Sequence, residues 1–253
     1  MCNYAENRTE EQKLKARYNR QVDRARTKVE QHNAVFLNGF GHPNLTTIAQ
    51  ENPNDLDVFK WGFVPSHIKT EKAAKEFCLK YSTLNAKAET IFQLPTYKNA
   101  IRSRRCLVAA TAFFEWHHKT PGDKKTEKFP FRISLKDEDI LSFGGIYETW
   151  INEETKEETT TFSIVTTEAN PLMAKIHNAK KRMPLIFSKE NELNWISHDL
   201  KENDIKELMR PLDEKLMGAY GIKSVNTRAK DFDPFSPSII ESFEYPEIAS
   251  LLN

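Results

Sequence analysis

The sequence predicts an α+β fold, a single domain over residues 1–253 built on a mainly antiparallel, barrel-like β-sheet with flanking helices. The first observation is a series of short apolar segments bounded by Pro, Gly or Asn, a pattern typical of strands. The second is that amphipathic stretches interrupt these segments without alternating regularly with them. The third is the absence of repeats and of a linker composition that would divide the chain.

The individual elements follow from the spacing of apolar residues. Strands are predicted at residues 58–64, 106–116, 129–135, 140–150, 160–166 and 184–187. Helices are predicted at residues 9–31, 71–80, 100–104, 171–176 and 189–209. The first and last of these helices carry apolar side chains every three or four positions, as expected for one buried face.

Composition excludes several classes of protein. The formal net charge is +1, and the three cysteines, Cys2, Cys78 and Cys106, form no CxxC pair. An odd number of cysteines without CxxC spacing argues against a disulfide framework and against a zinc cluster, so we expect no metal and no cofactor. The longest mainly apolar run, residues 107–114, is too short to cross a bilayer, and no secretory signal is present. We therefore expect a cytoplasmic protein.

Cys2 is the first candidate catalytic residue. Loss of Met1 would leave an α-amine and a thiol on adjacent carbons, a 1,2-aminothiol. An α-amine has a pKa of about 8 and a thiol one of about 8.5, so we expect each to keep a reactive fraction at neutral pH. The amine can form an imine with an aldehyde, and the thiol can then close on the imine carbon to give a thiazolidine. The alternative is a chance cysteine on an unconstrained terminus.

Three further positions have the residue types that such chemistry needs. Asn85 can donate to a developing negative oxygen or accept from an amine, although asparagine is also common in turns. Glu115 ends an apolar run between Phe114 and Trp116, where burial would raise its pKa toward neutrality and suit it to acid–base work. The alternative for Glu115 is an outward position or a pair with a nearby arginine. His177 can shuttle a proton near pH 7, but a single histidine is more often structural.

Aromatic and basic residues indicate a surface for single-stranded nucleic acid. The aromatic candidates lie in the segment Trp61-Gly62-Phe63-Val64-Pro65, whose rings can stack on bases or wedge between them. The basic candidates are positioned to contact phosphates. They are Lys87, Arg102, Arg104, Arg105, Lys180, Lys181 and Arg182. Taken singly, each aromatic ring is as typical of a core and each cation of a solvated surface.

These motifs together resemble the SOS-response-associated peptidase (SRAP) family, over nearly the whole chain. The motifs that match, in the family's order, are Met1-Cys2, Trp61-Gly62-Phe63-Val64-Pro65, Asn85-Ala86-Lys87-Ala88-Glu89-Thr90, Cys106-Leu107-Val108, Phe113-Phe114-Glu115-Trp116, Ile176-His177, Arg182-Met183-Pro184 and Val225-Asn226. The resemblance implies that Cys2, exposed by loss of Met1, crosslinks to abasic sites in single-stranded DNA. It further implies that Asn85 positions the reacting centre and that Glu115 and His177 are acid–base partners.

The chain departs from the usual family pattern at a few positions. Asn3 stands where the usual opening has glycine, and Lys87 where it has arginine, which replaces a bidentate fork by a point charge. Ala109 and Ala112 replace a proline and a glycine. Residues 178–181 lengthen the connection between His177 and Arg182, so His177 needs a loop to reach the site.

The resemblance therefore implies an abasic-site processing protein with cysteine-type self-processing peptidase activity and lyase-like activity. Removal of Met1 by an ordinary methionine aminopeptidase is an open alternative to self-processing. We expect a monomer that binds single-stranded DNA containing abasic sites, has no membrane partner, associates with the nucleoid and meets replication or repair proteins. Two alternatives from other classes are a cysteine peptidase or amidase with Cys2 as N-terminal nucleophile, and a noncovalent DNA-binding module that does not need Cys2.

Overall fold

The structure, a computed structural model, describes residues 2–18, 34–249 and 251. The strands in chain order are β1 (Tyr4–Glu6), β2 (Leu37–Asn38), β3 (Asn44–Ala49), β4 (Asp57–Trp61), β5 (Asn85–Lys87), β6 (Arg105–Ala110), β7 (Ala112–His118), β8 (Lys128–Leu135), β9 (Leu141–Ile151), β10 (Glu158–Glu168), β11 (Arg182–Pro184), β12 (Ile186–Phe187) and β13 (Met217–Gly221). The helices are α1 (Glu11–Tyr18), α2 (Glu71–Tyr81), α3 (Ala100–Ser103), α4 (Pro171–Ile176), α5 (Glu192–Trp195) and α6 (Glu202–Leu208). None of the described helices is long and apolar enough to cross a membrane.

Five strands of the larger sheet close into a ring. β10 pairs with β4, β4 with β3, β3 with β6 and β6 with β9, and β9 pairs back to β10. Only the pairing of β10 with β4 is parallel within this ring. Strands β5, β11 and β12 extend β10 and β9 outside it. The predicted α+β fold with a mainly antiparallel, barrel-like sheet is therefore confirmed.

Strand β6 shows why part of this ring reads as a continuous apolar run. Cys106 and Val108 belong to one hydrophobic core, whereas Leu107 and Ala109 belong to a second core on the other face of the strand. A strand buried on both faces needs apolar residues at every position and so loses the period-two alternation of a half-exposed strand.

A second sheet has the strand order β13-β8-β7-β1-β2. The prediction of one strand over residues 106–116 is wrong, because the chain leaves the ring after β6 and joins this second sheet as β7. The break is at Thr111, whose backbone N–H donates to the carbonyl oxygen of Glu6 at 2.9 Å. Its hydroxyl also donates to that oxygen, at 3.2 Å. The sequence motif around Glu115 is thereby carried from the ring to the sheet that contains the N-terminal strand.

The predicted helix over residues 171–176 is confirmed as α4, with the Asn170 side chain accepting from the backbone of Met173. The predicted helix over residues 189–209 is wrong, since it is two short helices. Buried Arg105 donates to the carbonyl oxygens of Trp195 and Ser197, which a continuous helix would use internally. Of the helix predicted over residues 9–31, the structure shows α1, and residues 19–33 lie outside the described residues.

Candidate active site

Strand β1 places the N-terminal residues beside the strand that carries Glu115. Ala5 pairs with Phe113 and Glu6 with Ala112 in antiparallel register. Continued toward the N-terminus, the same register brings residues 2 and 3 alongside Glu115 and the residue after it. Residues far apart in the sequence therefore meet beside the N-terminal end of β1, inside the second sheet.

Two contacts hold this N-terminal segment in place. The carboxylate of Glu6 accepts from both Nε and a terminal nitrogen of Arg132, at 2.6 and 3.1 Å, a bidentate pair. The backbone N–H of Gly39 donates to the carbonyl oxygen of Asn3 at 2.8 Å. A Cβ at Gly39 would lie 3.0 Å from that same oxygen, so this approach favours glycine. Cys2 thus lies two residues before a fixed strand and not on an unconstrained terminus.

The side chain of Cys2 is fully buried, with an exposed fraction of 0%. Burial raises the pKa of its thiol far above the ordinary range, and the nearby Glu115 raises it further. The expectation of a reactive thiolate fraction at neutral pH is therefore wrong for the thiol in this state. The thiol therefore needs a base to take its proton. Met1 lies outside the described residues, and its loss stays a prediction.

The Glu115 carboxyl is also buried, with 5% of the residue exposed. Burial raises its pKa to about 7, against the opposing positive charge of Lys180. The alternative that Glu115 pairs with a neighbouring arginine is wrong, since Arg104 pairs with Glu148 and Arg105 donates to backbone carbonyls. At neutral pH the carboxyl is therefore present in both its acid and its base forms.

His177 caps the C-terminal end of α4 and faces Glu115. Its Nδ1 donates to the carbonyl oxygen of Arg182 at 2.8 Å, which leaves Nε2 as the acceptor of the neutral ring. That Nε2 lies 3.7 Å from Oε2 of Glu115. Burial lowers the pKa of His177 to about 4, so the ring is neutral at pH 7. The expected titration of His177 near pH 7 is wrong, and the group that titrates there is Glu115.

The four residues between His177 and Arg182 form a compact turn. The backbone N–H of Lys181 donates to the carbonyl oxygen of His177 at 2.8 Å, and Lys181 has a positive φ of 48°. Asn178 joins this turn to β7, because its side chain accepts from the backbone N–H of His118 at 2.9 Å and donates to that residue's carbonyl oxygen at 2.8 Å. The longer connection therefore places His177 against the strand that carries Glu115.

Asn85 reaches the same site from β5, which pairs in parallel with β10. The indole N–H of Trp61 donates to the carbonyl oxygen of Leu84 at 2.9 Å and so fixes the backbone directly before Asn85. The amide nitrogen Nδ2 of Asn85 donates to Oδ1 of Asn3 at 3.0 Å. The other end of this amide, Oδ1, is buried and has no hydrogen-bond partner among the described residues.

The expected aromatic strand-binding residues lie elsewhere. Trp61 and Phe63 are fully buried, and Pro65 is buried as well, so none of them presents a face to a base. Trp61 stacks on Phe162 with ring centroids 6.2 Å apart, within the ring of strands. The assignment of Trp61, Phe63 and Pro65 to a DNA-contacting surface is therefore corrected to a core role.

The basic candidates divide into two groups. Arg105 is fully buried and bound to backbone carbonyls, and Arg102 and Arg104 pair with Glu202 and Glu148, so their charges are already matched. This corrects the assignment of Arg105 to DNA. The second group lies around β5, β11 and the turn after His177. It comprises exposed Lys87, Lys180 and Lys181, and half-buried Arg182, which pairs with Glu89.

A partly exposed aromatic edge that the sequence analysis missed lies next to Cys2, with Phe40 exposed and Tyr4 and Trp116 half-buried. It consists of Tyr4, Phe40 and Trp116, with centroid distances from Tyr4 of 6.5 Å to Phe40 and 5.0 Å to Trp116. Phe40 is 56% exposed and lies in the tight turn Gly39–Gly41. Its flanking glycines were the available signal, but nothing in the sequence indicates that this turn meets residues 4 and 116.

Fold and site together define an SRAP protein. The chain belongs to the SOS response associated peptidase (SRAP) family, whose pattern it matches over residues 1–228. It is 35% identical over 201 residues to the abasic site processing protein YoqW of Bacillus subtilis, a match that covers 79% of this chain and 82% of that protein. It is 24% identical over 181 residues to the abasic site processing protein HMCES of Gallus gallus, covering 65% of this chain and 52% of that protein.

Two solved structures are similar to this chain in fold. A crystal structure of a protein from Bacteroides thetaiotaomicron is 34% identical, with a TM-score of 0.84, over 96% of this chain and 100% of that chain. A crystal structure of a protein from Bordetella bronchiseptica shares the fold, with 21% identity and a TM-score of 0.72, over 88% of this chain and 100% of that chain.

Proposed function

We propose that this chain captures abasic sites in single-stranded DNA by forming a thiazolidine with Cys2, once Met1 has been removed. The observation that carries the proposal is the meeting of the first residues of the chain with a buried acid–base pair. Cys2 lies close enough to Glu115 for the carboxyl to raise the pKa of its thiol, and Glu115 in turn faces Nε2 of His177 at 3.7 Å. The family match and the names of the relatives, which are abasic site processing proteins, support an abasic site as the substrate.

The reaction couples both functional groups of Cys2 to one aldehyde. The ring-opened deoxyribose of an abasic site supplies the aldehyde carbon, which the α-amine attacks to give a carbinolamine. Departure of water leaves an imine, and the thiol adds to its carbon as the S–H proton moves to a base. One amine, one thiol and one aldehyde therefore give one thiazolidine and one water, with no oxidation or reduction.

Glu115 is suited to both proton transfers. With its pKa raised to about 7, the acid form can protonate the departing hydroxyl, and the carboxylate can take the thiol proton in the closing step. Neutral His177 accepts at Nε2 because Nδ1 is held by the carbonyl oxygen of Arg182. It thereby stabilises the protonated carboxyl before the first step and again after the second.

The raised thiol pKa favours aldehyde capture over general peptide hydrolysis. A cysteine peptidase needs a thiolate for the first attack, and burial makes that thiolate scarce in Cys2. In thiazolidine formation the amine attacks first, and the thiol then acts within the same residue. Self-removal of Met1 also belongs to the proposal. The Cys2 thiol, with Glu115 as base, attacks the Met1 carbonyl carbon and the Cys2 amine leaves, and water then hydrolyses the thioester to release methionine. A lyase-like step belongs to the proposal as a competing route. On the imine, before the thiol closes the ring, the same base takes the proton of the adjacent sugar carbon and the 3′ phosphate leaves by β-elimination, a route that ring closure prevents.

We assign strand binding to two neighbouring features. The aromatic edge of Tyr4, Phe40 and Trp116 offers ring faces to unstacked bases. Lys180 and Lys181 are exposed in the turn after His177 and are available to phosphates. The charge of Lys180 also acts on Glu115, whose pKa it lowers. The DNA thus crosses the mouth of the site as a single strand, and the covalent adduct shields the lesion from cleavage by β-elimination.

The proposal is tested on a denaturing gel with three single-stranded oligonucleotides of one sequence. One carries an abasic site, one a tetrahydrofuran analogue that lacks the aldehyde, and one an intact base. A crosslink to the abasic strand alone, lost in Cys2→Ala, is the expected result. A native gel of the same samples is run in parallel. A mobility shift there with all three strands that survives in Cys2→Ala, without a crosslink on the denaturing gel, would establish the noncovalent module instead. Hydrolysis of peptide or amide substrates without any crosslink would establish the N-terminal-nucleophile alternative.

A further inference from the structure

The side chain of Asn3 contacts the site directly. Its Oδ1 accepts from Nδ2 of Asn85 at 3.0 Å. Its backbone is fixed by the donation of Gly39 N–H to its carbonyl oxygen at 2.8 Å, and it lies on the segment that β1 continues. Asn3 therefore holds one end of the Asn85 amide from a rigid position next to Cys2.

An asparagine amide has two chemically different ends, and the contact with Asn3 distinguishes them. Because Nδ2 of Asn85 is turned toward Asn3, Oδ1 is turned the other way. This Oδ1 is buried and has no hydrogen-bond partner among residues 2–18, 34–249 and 251. Buried acceptors are normally paired, so such an oxygen is suited to an N–H or O–H donor that arrives with the reaction.

We propose that Asn3 is a positioning residue that keeps Oδ1 of Asn85 directed at the reacting amine of Cys2. The inference rests on the proposed function. Oδ1 accepts one N–H of the α-amine that loss of Met1 creates, and this bond orients the nitrogen lone pair toward the aldehyde carbon. Without an acceptor at position 3, the amide of Asn85 can rotate and present Nδ2, a donor, which cannot hold the amine in this way.

A double-mutant cycle measures the coupling. The variants are Asn3→Ala, Asn85→Ala and the double variant, compared by the single-turnover rate of crosslinking at saturating abasic oligonucleotide. We expect Asn3→Ala to slow the rate about tenfold, as for loss of one hydrogen bond, with the affinity for an intact strand and the midpoint of thermal unfolding unchanged. In the Asn85→Ala background the same substitution should change the rate by less than about twofold.

Two further variants complete the test. Asn3→Asp keeps an acceptor oxygen at the same position and should restore the rate to within about threefold of the unaltered protein. Asn191→Ala, at an exposed asparagine whose side chain donates to Ser188, is the matched control and should leave the rate unchanged.

The positioning role is overturned if Asn3→Ala slows the reaction equally in both backgrounds, or if Asn3→Asp is as slow as Asn3→Ala. It is also overturned if the loss of rate is accompanied by an equal loss of strand affinity or of thermal stability. An unaltered protein that forms no crosslink overturns the proposed function and the positioning role together. These outcomes separate failure of the inference from failure of the function on which it rests.

Discussion

Oε2 of Glu115 lies 3.7 Å from Nε2 of His177, and both side chains are buried. The imidazole is neutral at pH 7, since burial lowers the pKa of His177 to about 4, whereas burial raises the pKa of Glu115 to about 7. The contact is therefore a carboxyl facing a neutral acceptor and not an ion pair. Burial, which raises the pKa of Glu115, keeps its acid form accessible at neutral pH.

Glu115→Gln should slow crosslinking about 100-fold, because the amide can neither give up nor take the protons that the two steps move. In the unaltered protein the pH–rate profile should have an inflection near the Glu115 pKa of about 7. The variant should lack that inflection and keep only the one from the α-amine. Single-turnover rates across the pH range measure both effects.

Glu127→Gln, at an exposed glutamate paired with Lys119, is the control for this substitution. It should reproduce the profile of the unaltered protein. A Glu115→Gln protein with the same rate and the same inflection would remove the carboxyl from the mechanism.

Glu115→Gln should also stabilise the fold in alkaline solution. The folded state holds the proton of Glu115 up to a pKa of about 7, above the ordinary pKa of 4.5, so the folded state binds more protons than the unfolded chain between these values. Stability contributed by this group is complete below the lower value and is lost as pH rises through the upper one. The free energy of unfolding of Glu115→Gln, from urea titration, should exceed that of the unaltered protein by about 1–3 kcal/mol at about pH 8.5. An equal difference at acid and alkaline pH would contradict this origin.

His177 has the opposite pH dependence. Burial lowers its pKa from 6.5 to about 4, so the unfolded chain takes up a proton that the folded chain refuses, and stability falls between these values as pH falls. His177→Gln should remove this loss. Urea titrations in the Glu115→Gln background isolate the imidazole from its carboxyl neighbour. A loss of stability on acidification that is identical with and without His177 would show that the ring is already protonated in the fold.

Lys180 and Lys181 should have separable effects. Lys180 lowers the pKa of Glu115, so Lys180→Ala should move the inflection of the pH–rate profile to higher pH. Lys181→Ala is the matched comparison and should leave the inflection in place. Each variant should weaken binding to an intact single strand and reduce the dependence of log Kd on log salt by about 0.7, the loss of one phosphate contact. Fluorescence anisotropy over a salt series measures the second effect, and an unchanged slope in both would exclude these lysines from the strand path.

Phe40→Ala should weaken noncovalent strand binding by about 1–3 kcal/mol, through loss of base stacking, while the stability of the fold changes little. The matched control is Tyr81→Ala on α2, because Tyr81 is an aromatic residue with the same exposed fraction as Phe40, 56%. Anisotropy with an intact strand should separate the two variants, and equal affinities would show that the aromatic edge does not contact bases.

Residue chemistry predicted the site better than residue pattern predicted its surroundings. Burial of Glu115 could be inferred because its apolar flanks leave the carboxyl little access to solvent. The pKa of His177 could not, since it depends on the Arg182 carbonyl and on packing that the sequence does not specify. The state of the Cys2 thiol was missed for the same reason, because the segment that buries it is distant in the chain.

The errors in the fold have tertiary causes. The apolar run over residues 106–116 contains no Pro or Gly, and the break between the two sheets is at Thr111, which bonds to the distant Glu6. The predicted helix over residues 189–209 is interrupted by buried Arg105, which competes for its carbonyls. Trp61 and Phe63 could not be distinguished from surface rings by spacing alone, since stacking platforms and cores use the same residues.

Intact-mass spectrometry of the protein after incubation with a single-stranded abasic oligonucleotide tests the central claim most directly. The predicted product has the mass of the chain without Met1 plus the oligonucleotide minus one water, and peptide mapping places the adduct on Cys2. The Cys2→Ala protein should gain no mass. A Met1-free protein that forms no adduct, or an adduct that persists in Cys2→Ala, would contradict covalent capture through the N-terminal cysteine.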